Sequence, residues 1–243
     1  MRSAEGITVI PVTGIGEVMP GADLAELIVA ALSPALADAP ELCDGDVVVV
    51  TQKIVSKAEG RLVSIDPADA NAKLALVEQE SVRVLRRRGE LVISETRHGF
   101  VCANAGVDLS NVAEGTAALL PDDSDRSARR LRAGLRRALD TDVGVVISDT
   151  FGRPWRRGVT DVAIGCAGVA AVLDLKGTFD AGGRELQATE ICVADELASA
   201  AELVMGKDRG VPVAVVRGVP SEWLRDASVQ AEILRPPDED LFR

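Results

Sequence analysis

Residues able to bind a cation and phosphate groups are concentrated between positions 145 and 161. Apolar residues lead directly into Asp149 and Thr150, whose carboxylate and hydroxyl are hard oxygen ligands for divalent cations. Guanidinium groups bind phosphates and carboxylates through paired hydrogen bonds. The loop that follows carries Arg153, Arg156 and Arg157. We therefore predict a buried strand that ends at Asp149 and directs it into a cleft, the alternative being an Asp that caps a turn beside solvated arginines.

Two further polar clusters follow predicted strands. After the apolar strand 47–50, Lys53 and Lys57 would share one helical face if this segment is helical and could then bind a phosphate, with a solvated lysine pair as an equal alternative. In the segment 103–112, Asn104, Asp108 and Asn111 lie among small residues, so that a ligand could approach closely. Asp108 is a second candidate metal ligand, and an Asx-turn is its structural alternative.

If these clusters converge, two carboxylates would hold a divalent metal while lysines and arginines hold phosphates. That arrangement is typical of phosphoryl transfer, in which positioning and charge neutralisation supply most of the rate. The turn at 13–18 carries Gly14 and Gly16, but it matches neither the dinucleotide fingerprint nor a Walker loop. Arg217 follows the last predicted strand, and His98 is the only histidine that could act as a base.

The elements that must position these residues alternate between strands and helices. Strands are predicted at 7–12, 47–50, 91–94, 145–148 and 211–216, with a hairpin or loop at 176–185. Helices are predicted at 23–37 with Asp23 as N-cap, at 68–88, at 128–139, and at 190–205 with Gly206 as C-cap. Arginines at the end of the helix 68–88 and along 128–139 are interpreted as solvated helix faces.

Composition narrows the class of protein. The 243 residues, 47% of them apolar, suffice for one large domain or two interlocked subdomains. A net charge of −11 argues against nucleic acid or an anionic membrane as a partner. The four cysteines lack Cys-x-x-Cys spacing and are predicted to be buried free thiols in a reducing compartment. No segment is long and apolar enough for a leader or membrane span, so we expect a cytoplasmic protein.

Four segments together resemble the coenzyme F420-0:L-glutamate ligase family. They are VTQKIVSKAEGR at 50–61, ANAGVDLSNV at 103–112, SDTFGRPWRRG at 148–158 and ADELASAAELVMGK at 194–207. The resemblance spans almost the whole chain in the family's order. In actinobacterial relatives the ligase is fused to a C-terminal flavin-binding reductase domain. This chain stops near where that linker would begin, so we expect either a free-standing ligase or an excised ligase domain.

The resemblance implies a GTP-dependent ligase that adds L-glutamate to the terminal carboxylate of coenzyme F420-0. Successive γ-linked glutamates often follow in this family. The implied route is phosphorylation of the carboxylate by GTP and displacement of phosphate from the acyl phosphate by the glutamate amine. Mg²⁺ or Mn²⁺ is the implied cofactor, with K⁺ as a further candidate ion.

Site residues follow from the resemblance position by position. The implied metal ligands are Asp108, Asp149 and Thr150, and the implied catalytic residues are Asp108, Asp149 and Lys57. The implied guanine nucleotide contacts are Ile15, Gly16, Glu17, Val18, Gln52, Lys57 and Asn111, together with the segment 203–210, of which Leu203, Val204, Met205, Gly206 and Lys207 are the principal members.

The resemblance also implies an α+β fold with mixed sheets and flanking helices in two interlocked subdomains of one ligase domain, 1–243. An intertwined homodimer is expected, with no nucleic acid or membrane partner. Two other functional classes compete with the ligase. One is a non-catalytic nucleotide-binding module that needs a missing partner domain. The other, a flavin or deazaflavin oxidoreductase, is disfavoured by the absence of a dinucleotide fingerprint.

Overall fold

The computed structural model describes residues 6–33, 40–69 and 71–240, so the predicted extension of the first helix to residue 37 lies partly outside them. The strands are β1 (Thr8–Val12), β2 (Val47–Thr51), β3 (Leu62–Ser64), β4 (Ser81–Arg88), β5 (Leu91–Thr96), β6 (Val101–Ala103), β7 (Thr116–Ala118), β8 (Gly144–Gly152), β9 (Val159–Ala167), β10 (Leu173–Asp174), β11 (Glu190–Ile191) and β12 (Val213–Arg217). The helices are α1 (Leu24–Ala31), α2 (Gln52–Ala58), α3 (Ala72–Glu80), α4 (Ser124–Leu139), α5 (Val193–Met205) and α6 (Val229–Glu232). Single 3₁₀ turns lie at Asn104–Gly106 and Ser221–Trp223.

The largest sheet has the strand order β1-β12-β2-β8-β9 and forms the main core. Only β2 and β8 are parallel within it, and their carboxyl ends therefore meet at the same edge. The four consecutive valines of β2 are completely buried, so both faces of the sheet are covered. Each such side chain contributes about 1.5 kcal/mol or more by leaving water, and this rigid strand pair carries the segments that follow it into the site.

Smaller sheets, β3-β7 and β4-β5-β6, surround a second hydrophobic cluster. Its buried members are Leu76, Val77, Val92, Ala105, Val107, Ala117 and Leu119. Together with the main sheet and its helices, they confirm the predicted α+β class with mixed sheets. The interlocking of subdomains, the assignment of 1–243 to one domain and the homodimer stay predictions.

The predicted helix at 68–88 is wrong in its second half. Helix α3 ends at Glu80, and Ser81–Arg88 instead forms β4, which pairs antiparallel with β5. Gly89, predicted to stop a helix, has φ of +61° and lies in the connection between the two strands. Pairing with β5 satisfies part of the backbone of this edge strand, and its arginines lie on a solvated strand rather than on a solvated helix face.

The predicted end of the strand at Asp149 is also wrong, because β8 continues to Gly152. It forms a hairpin with β9, and the arginine-bearing segment 153–158 is the connection between them. Asp149 and Thr150 are consequently held by strand pairing on the β9 side. Their positions are more rigid than those of residues in a loop would be.

Several local predictions are confirmed. Asp23 caps α1 by accepting hydrogen bonds from the backbone N–H groups of Ala25 at 2.9 Å and Glu26 at 3.2 Å. Gly206 ends α5 with φ of +61°. The described cysteines are free, but Cys43 is exposed and Cys192 is only partly buried, which corrects the prediction that all four are buried. Within residues 6–33, 40–69 and 71–240, no helix is long and apolar enough to cross a membrane.

Candidate active site

A cavity of about 920 Å³ lies where the polar clusters of the sequence meet. The segments after β1, β2 and β6 line it, together with β8, β9 and the end of α5. The predicted site residues among its lining are Ile15, Gly16, Glu17, Gln52, Lys57, Asp108, Asn111, Asp149, Thr150, Gly206 and Lys207. The polar clusters predicted at 52–57 and 108–111 and the pair Asp149 and Thr150 therefore meet at one cavity, whereas Arg217, at the end of the last strand, does not line it.

Four other residues implied by the resemblance do not line the cavity. Val18 and Met205 are buried in the main core, and Val204 packs against that core. Leu203 is 78% exposed on α5. Arg153, Arg156 and Arg157 also lie outside the cavity, on the exposed connection between β8 and β9.

Asp108 is held on one wall of the cavity by Lys53 of α2. The Lys53 Nζ atom lies 2.8 Å from Oδ2 of Asp108, and the backbone N–H of Ser110 donates to Oδ1 at 2.7 Å. Burial alone would raise the pKa of Asp108, but the hydrogen bonds from Lys53 and Ser110 and the charge of Lys53 outweigh it and lower this pKa. Asp108 thus makes the contact to the Ser110 backbone that an Asx-turn requires. It also presents an ionised carboxylate to the cavity.

Asp149 has the opposite electrostatic setting. Burial raises its pKa to about 7, and the negative charges of Asp161 and Asp108 add to that effect. The backbone N–H of Thr150 and the charge of Lys207 lower this pKa without cancelling the increase. A cation placed among these carboxylates would relieve their mutual repulsion.

Asp161 forms the centre of a hydrogen-bond network on the β8–β9 hairpin. It lies directly opposite Thr150 in the strand register and is only 1% exposed. Its carboxylate accepts from Thr150 Oγ1 at 2.5 Å, from Ser148 Oγ at 2.9 Å and from Lys207 Nζ at 3.2 Å. Lys207 also donates to Thr150 Oγ1 and lies 3.7 Å from Glu202.

On the α2 side, Lys57 lines the cavity as a nearly buried cation. Its Nζ atom lies 2.5 Å from Oε1 of Glu17, and the Lys57 side chain is 9% exposed whereas that of Glu17 is 71% exposed. Gln52 directs its amide inward, donating to Ser56 Oγ at 2.6 Å and to the Leu119 carbonyl at 2.9 Å. These bonds anchor the start of α2, so Lys53 and Lys57 project from a fixed helix.

The oxygen ligands around the cavity fit a hard divalent cation. Mg²⁺ and similar ions bind proteins through one or two carboxylates and complete their coordination with water and substrate phosphates. Asp108, Asp149 and Thr150 offer such oxygens. In the part of the chain that the structure describes, no three His, Cys, Asp or Glu side chains are grouped as a complete metal site.

Three charged residues of the cavity were not assigned a role from the sequence. The sequence patterns did not identify Asp161 and Glu202. For Lys53 they gave two equal alternatives, a phosphate contact and a solvated side chain. An isolated acid within the apolar strand β9 was the available signal for Asp161, but only the hairpin register places it opposite Thr150. His98 lies outside the cavity lining, and burial together with the charge of Arg97 lowers its pKa.

The chain is similar to known proteins over almost its whole length. The family model described as F420-0:Gamma-glutamyl ligase matches residues 14–218. Coenzyme F420:L-glutamate ligase from Methanothermobacter thermautotrophicus is 45% identical over 253 residues, covering 98% of this chain and 99% of the relative. The proteins of the same name from Methanopyrus kandleri and Methanocaldococcus jannaschii are 44% and 39% identical. These two alignments cover 93% and 82% of this chain, and 94% and 85% of the respective relatives.

Proposed function

The chain belongs to the F420-0:gamma-glutamyl ligase family, and on that premise we propose that it joins L-glutamate to the terminal carboxylate of coenzyme F420-0 at the expense of GTP. Further γ-linked glutamates would be added by the same chemistry, since each product again ends in carboxylates. We propose that the reaction takes place in the cytoplasm and that the enzyme is a homodimer. Light scattering tests the dimer, which would have about twice the chain's mass of 25.5 kDa.

The proposed reaction has two steps. In the first, an oxygen of the acceptor carboxylate attacks the γ-phosphorus of GTP, the bond to the β-phosphate oxygen breaks, and an acyl phosphate and GDP form. In the second, the amine of L-glutamate attacks the acyl carbon and phosphate leaves with the bonding electron pair. The amine releases its proton to solvent as the amide forms. Positioning and charge neutralisation are the main contributions that a protein makes to such transfers.

The charged residues of the cavity support this proposal. Lys57 and Lys207 place ammonium groups where triphosphate oxygens would need neutralisation, and Lys53 adds a third beside Asp108. Asp108, Asp149 and Thr150 would hold Mg²⁺ or Mn²⁺, which would supply charge neutralisation for the phosphates. The turn at 15–17 contributes Gly16, at which an added Cβ would meet no atom within 4 Å, so a ligand can approach its backbone.

One observation carries the proposal. Separate segments of the chain bring two carboxylates, Asp108 and Asp149, and three lysines to a single cavity, in a chain that matches ligases over nearly its full length. A non-catalytic nucleotide-binding module would bind GTP at the same cavity but would form no amide product. That alternative is distinguished by the product rather than by nucleotide binding.

The test is an assay with coenzyme F420-0, L-glutamate, GTP and Mn²⁺, followed by mass spectrometry. We expect product masses that increase in steps of one glutamate, with GDP released only when all four components are present. Replacing GTP by ATP measures the nucleotide preference. GTP binding without any glutamylated product would overturn the ligase in favour of the binding module. GDP formation by Asp149→Asn at the wild-type rate would overturn the site assignment.

A further inference from the structure

We propose that Asp161 is a positioning residue that orients the Thr150 hydroxyl and the Lys207 ammonium for the bound nucleotide and its cation. This inference rests on the proposed function. It concerns a residue of β9 to which the family resemblance attaches no role. It starts from the hydrogen bonds of one buried carboxylate.

The burial of Asp161 requires an explanation. An ionised carboxylate that is 1% exposed is costly unless hydrogen bonds and opposite charge compensate for its lost hydration. The compensation comes from Ser148, Thr150 and Lys207, all of which line the cavity. All three side chains that stabilise the buried Asp161 carboxylate therefore belong to the site.

The chemistry of the acceptor determines the orientation of Thr150. An ionised carboxylate can only accept hydrogen bonds, and a threonine hydroxyl has a single hydrogen to donate. Because Thr150 Oγ1 lies 2.5 Å from Oδ1 of Asp161, its hydrogen points at Asp161. The lone pairs of the Thr150 oxygen are then free to accept from, or to ligate, a positively charged partner.

Lys207 places a positive charge beside the Thr150 oxygen and the Asp161 carboxylate. Its ammonium donates to Thr150 Oγ1 while lying 3.2 Å from Oδ1 of Asp161 and 3.7 Å from Oε1 of Glu202. The lysine is 58% exposed and stands just after the end of α5. The ammonium thus marks a position at which oxygens of Asp161, Thr150 and Glu202 favour positive charge.

A purely structural role for Asp161 predicts different effects of substitution from a positioning role. Substitutions can therefore distinguish these two roles. Asp161→Asn keeps a carbonyl that accepts from Thr150, whereas Asp161→Ala leaves the Thr150 hydroxyl free to rotate. Thr150→Val removes the oxygen through which Asp161 is proposed to act. Asp195 is the matched control, because it accepts from the backbone of the same strand, at Ala163, but lies outside the cavity lining.

The experiment measures Mn²⁺ affinity by titration calorimetry with the metal alone, then kcat and KM for GTP. We expect Asp161→Ala to weaken Mn²⁺ binding by about 10- to 100-fold, as loss of a residue that orients a ligand does. Asp161→Asn should bind Mn²⁺ nearly as tightly as the wild type does. The Mn²⁺ affinity of Asp195→Asn should equal that of the wild type. In the Thr150→Val background, Asp161→Ala should cause little further loss.

Two results would overturn the inference alone, with wild-type ligation intact. The first is an unchanged Mn²⁺ affinity in Asp161→Ala. The second is a double variant whose loss of Mn²⁺ binding free energy equals the sum of the losses in Thr150→Val and Asp161→Ala. If Asp161→Ala fails to fold, the comparison uses Asp161→Asn. A loss of Mn²⁺ affinity in Asp161→Asn as large as that in Thr150→Val would contradict the proposal that the oxygen of residue 161 orients Thr150. A wild type that neither binds Mn²⁺ nor forms the glutamylated product would overturn the proposed function as well.

Discussion

Lys53 Nζ and Asp108 Oδ2 lie 2.8 Å apart, so an ion pair joins α2 to the segment after β6 across one wall of the cavity. The Lys53 side chain is 18% exposed and that of Asp108 is 39% exposed. Lys53 also donates to Ser110 Oγ at 2.6 Å. The same carboxylate that is proposed to bind a divalent cation is thus already paired with a protein cation.

Removing that ammonium should favour the metal. We expect Lys53→Met to bind Mn²⁺ about 2- to 5-fold more tightly in the absence of nucleotide, in line with the strength of a partly exposed ion pair. The pKa of Asp108 should rise, because Lys53 is its main source of stabilisation among the side chains. Calorimetry measures the affinity, and Lys176→Met, at an exposed pair with Glu190, is the control. Weaker Mn²⁺ binding in Lys53→Met would show that Lys53 supports the metal rather than competing with it.

Asp149 should make the stability of the metal-free protein depend on pH. Its pKa is about 7 in the fold and 3.8 in the ordinary state, so between these values the folded protein retains a proton that the unfolded chain has released. Stability is therefore lost as pH rises through this window. Asp149→Asn has no such carboxylate, so its stability should not fall as pH rises. We expect its free energy of unfolding to exceed that of the wild type by a few kcal/mol at pH 8 and to equal it near pH 4.

Urea unfolding in the presence of a chelator measures this difference at each pH. Asp226→Asn, at a carboxylate that is 96% exposed, is the control and should leave the pH profile unchanged. The same Asp149→Asn protein should lose ligase activity by at least about 100-fold. An equal stability difference at pH 4 and pH 8 would contradict the electrostatic account.

Arg217 and Asp46 should contribute to stability far from the chemistry. The guanidinium donates to Oδ1 at 2.9 Å and to Oδ2 at 2.6 Å, and Asp46 is only 1% exposed. Arg217→Met would leave a buried carboxylate without its charge partner, which costs about 3 kcal/mol. The midpoint of urea unfolding measures the effect. Arg217 does not line the cavity, so KM for GTP should stay unchanged, and a large change in it would contradict a structural role.

The cysteines should differ sharply in reactivity. Burial raises the pKa of Cys102 and of Cys166 from 9.0 to about 12, which lowers the thiolate fraction at neutral pH about a thousandfold. Cys43 is exposed. We expect iodoacetamide to modify Cys43 in the native protein and the other two only in urea, as measured by peptide mass spectrometry. Cys102 lines the cavity. Its rapid modification in the native protein would show that this wall of the cavity opens further than in the observed structure.

Local patterns in the chain predicted much of the fold and the residue types of the site. The cap at Asp23 and the glycine that ends α5 depend on interactions within one or two turns. The segment Ser81–Arg88 was mispredicted because a strand at its position depends on pairing with β5. Helical periodicity within the segment contains no information about that partner.

By itself, the sequence determined the chemical character of this protein: carboxylates and lysines after apolar strands, and segments that resemble a ligase family. The tertiary structure alone decided which of those side chains share one cavity. It paired Lys53 with Asp108 and placed Asp161 opposite Thr150. The reason is that strand register and long-range packing bring distant residues together, whereas a sequence pattern reports only neighbours along the chain. Asp161 has no distinctive local motif, and its hydrogen bonds exist only once the β8–β9 hairpin and α5 have packed together.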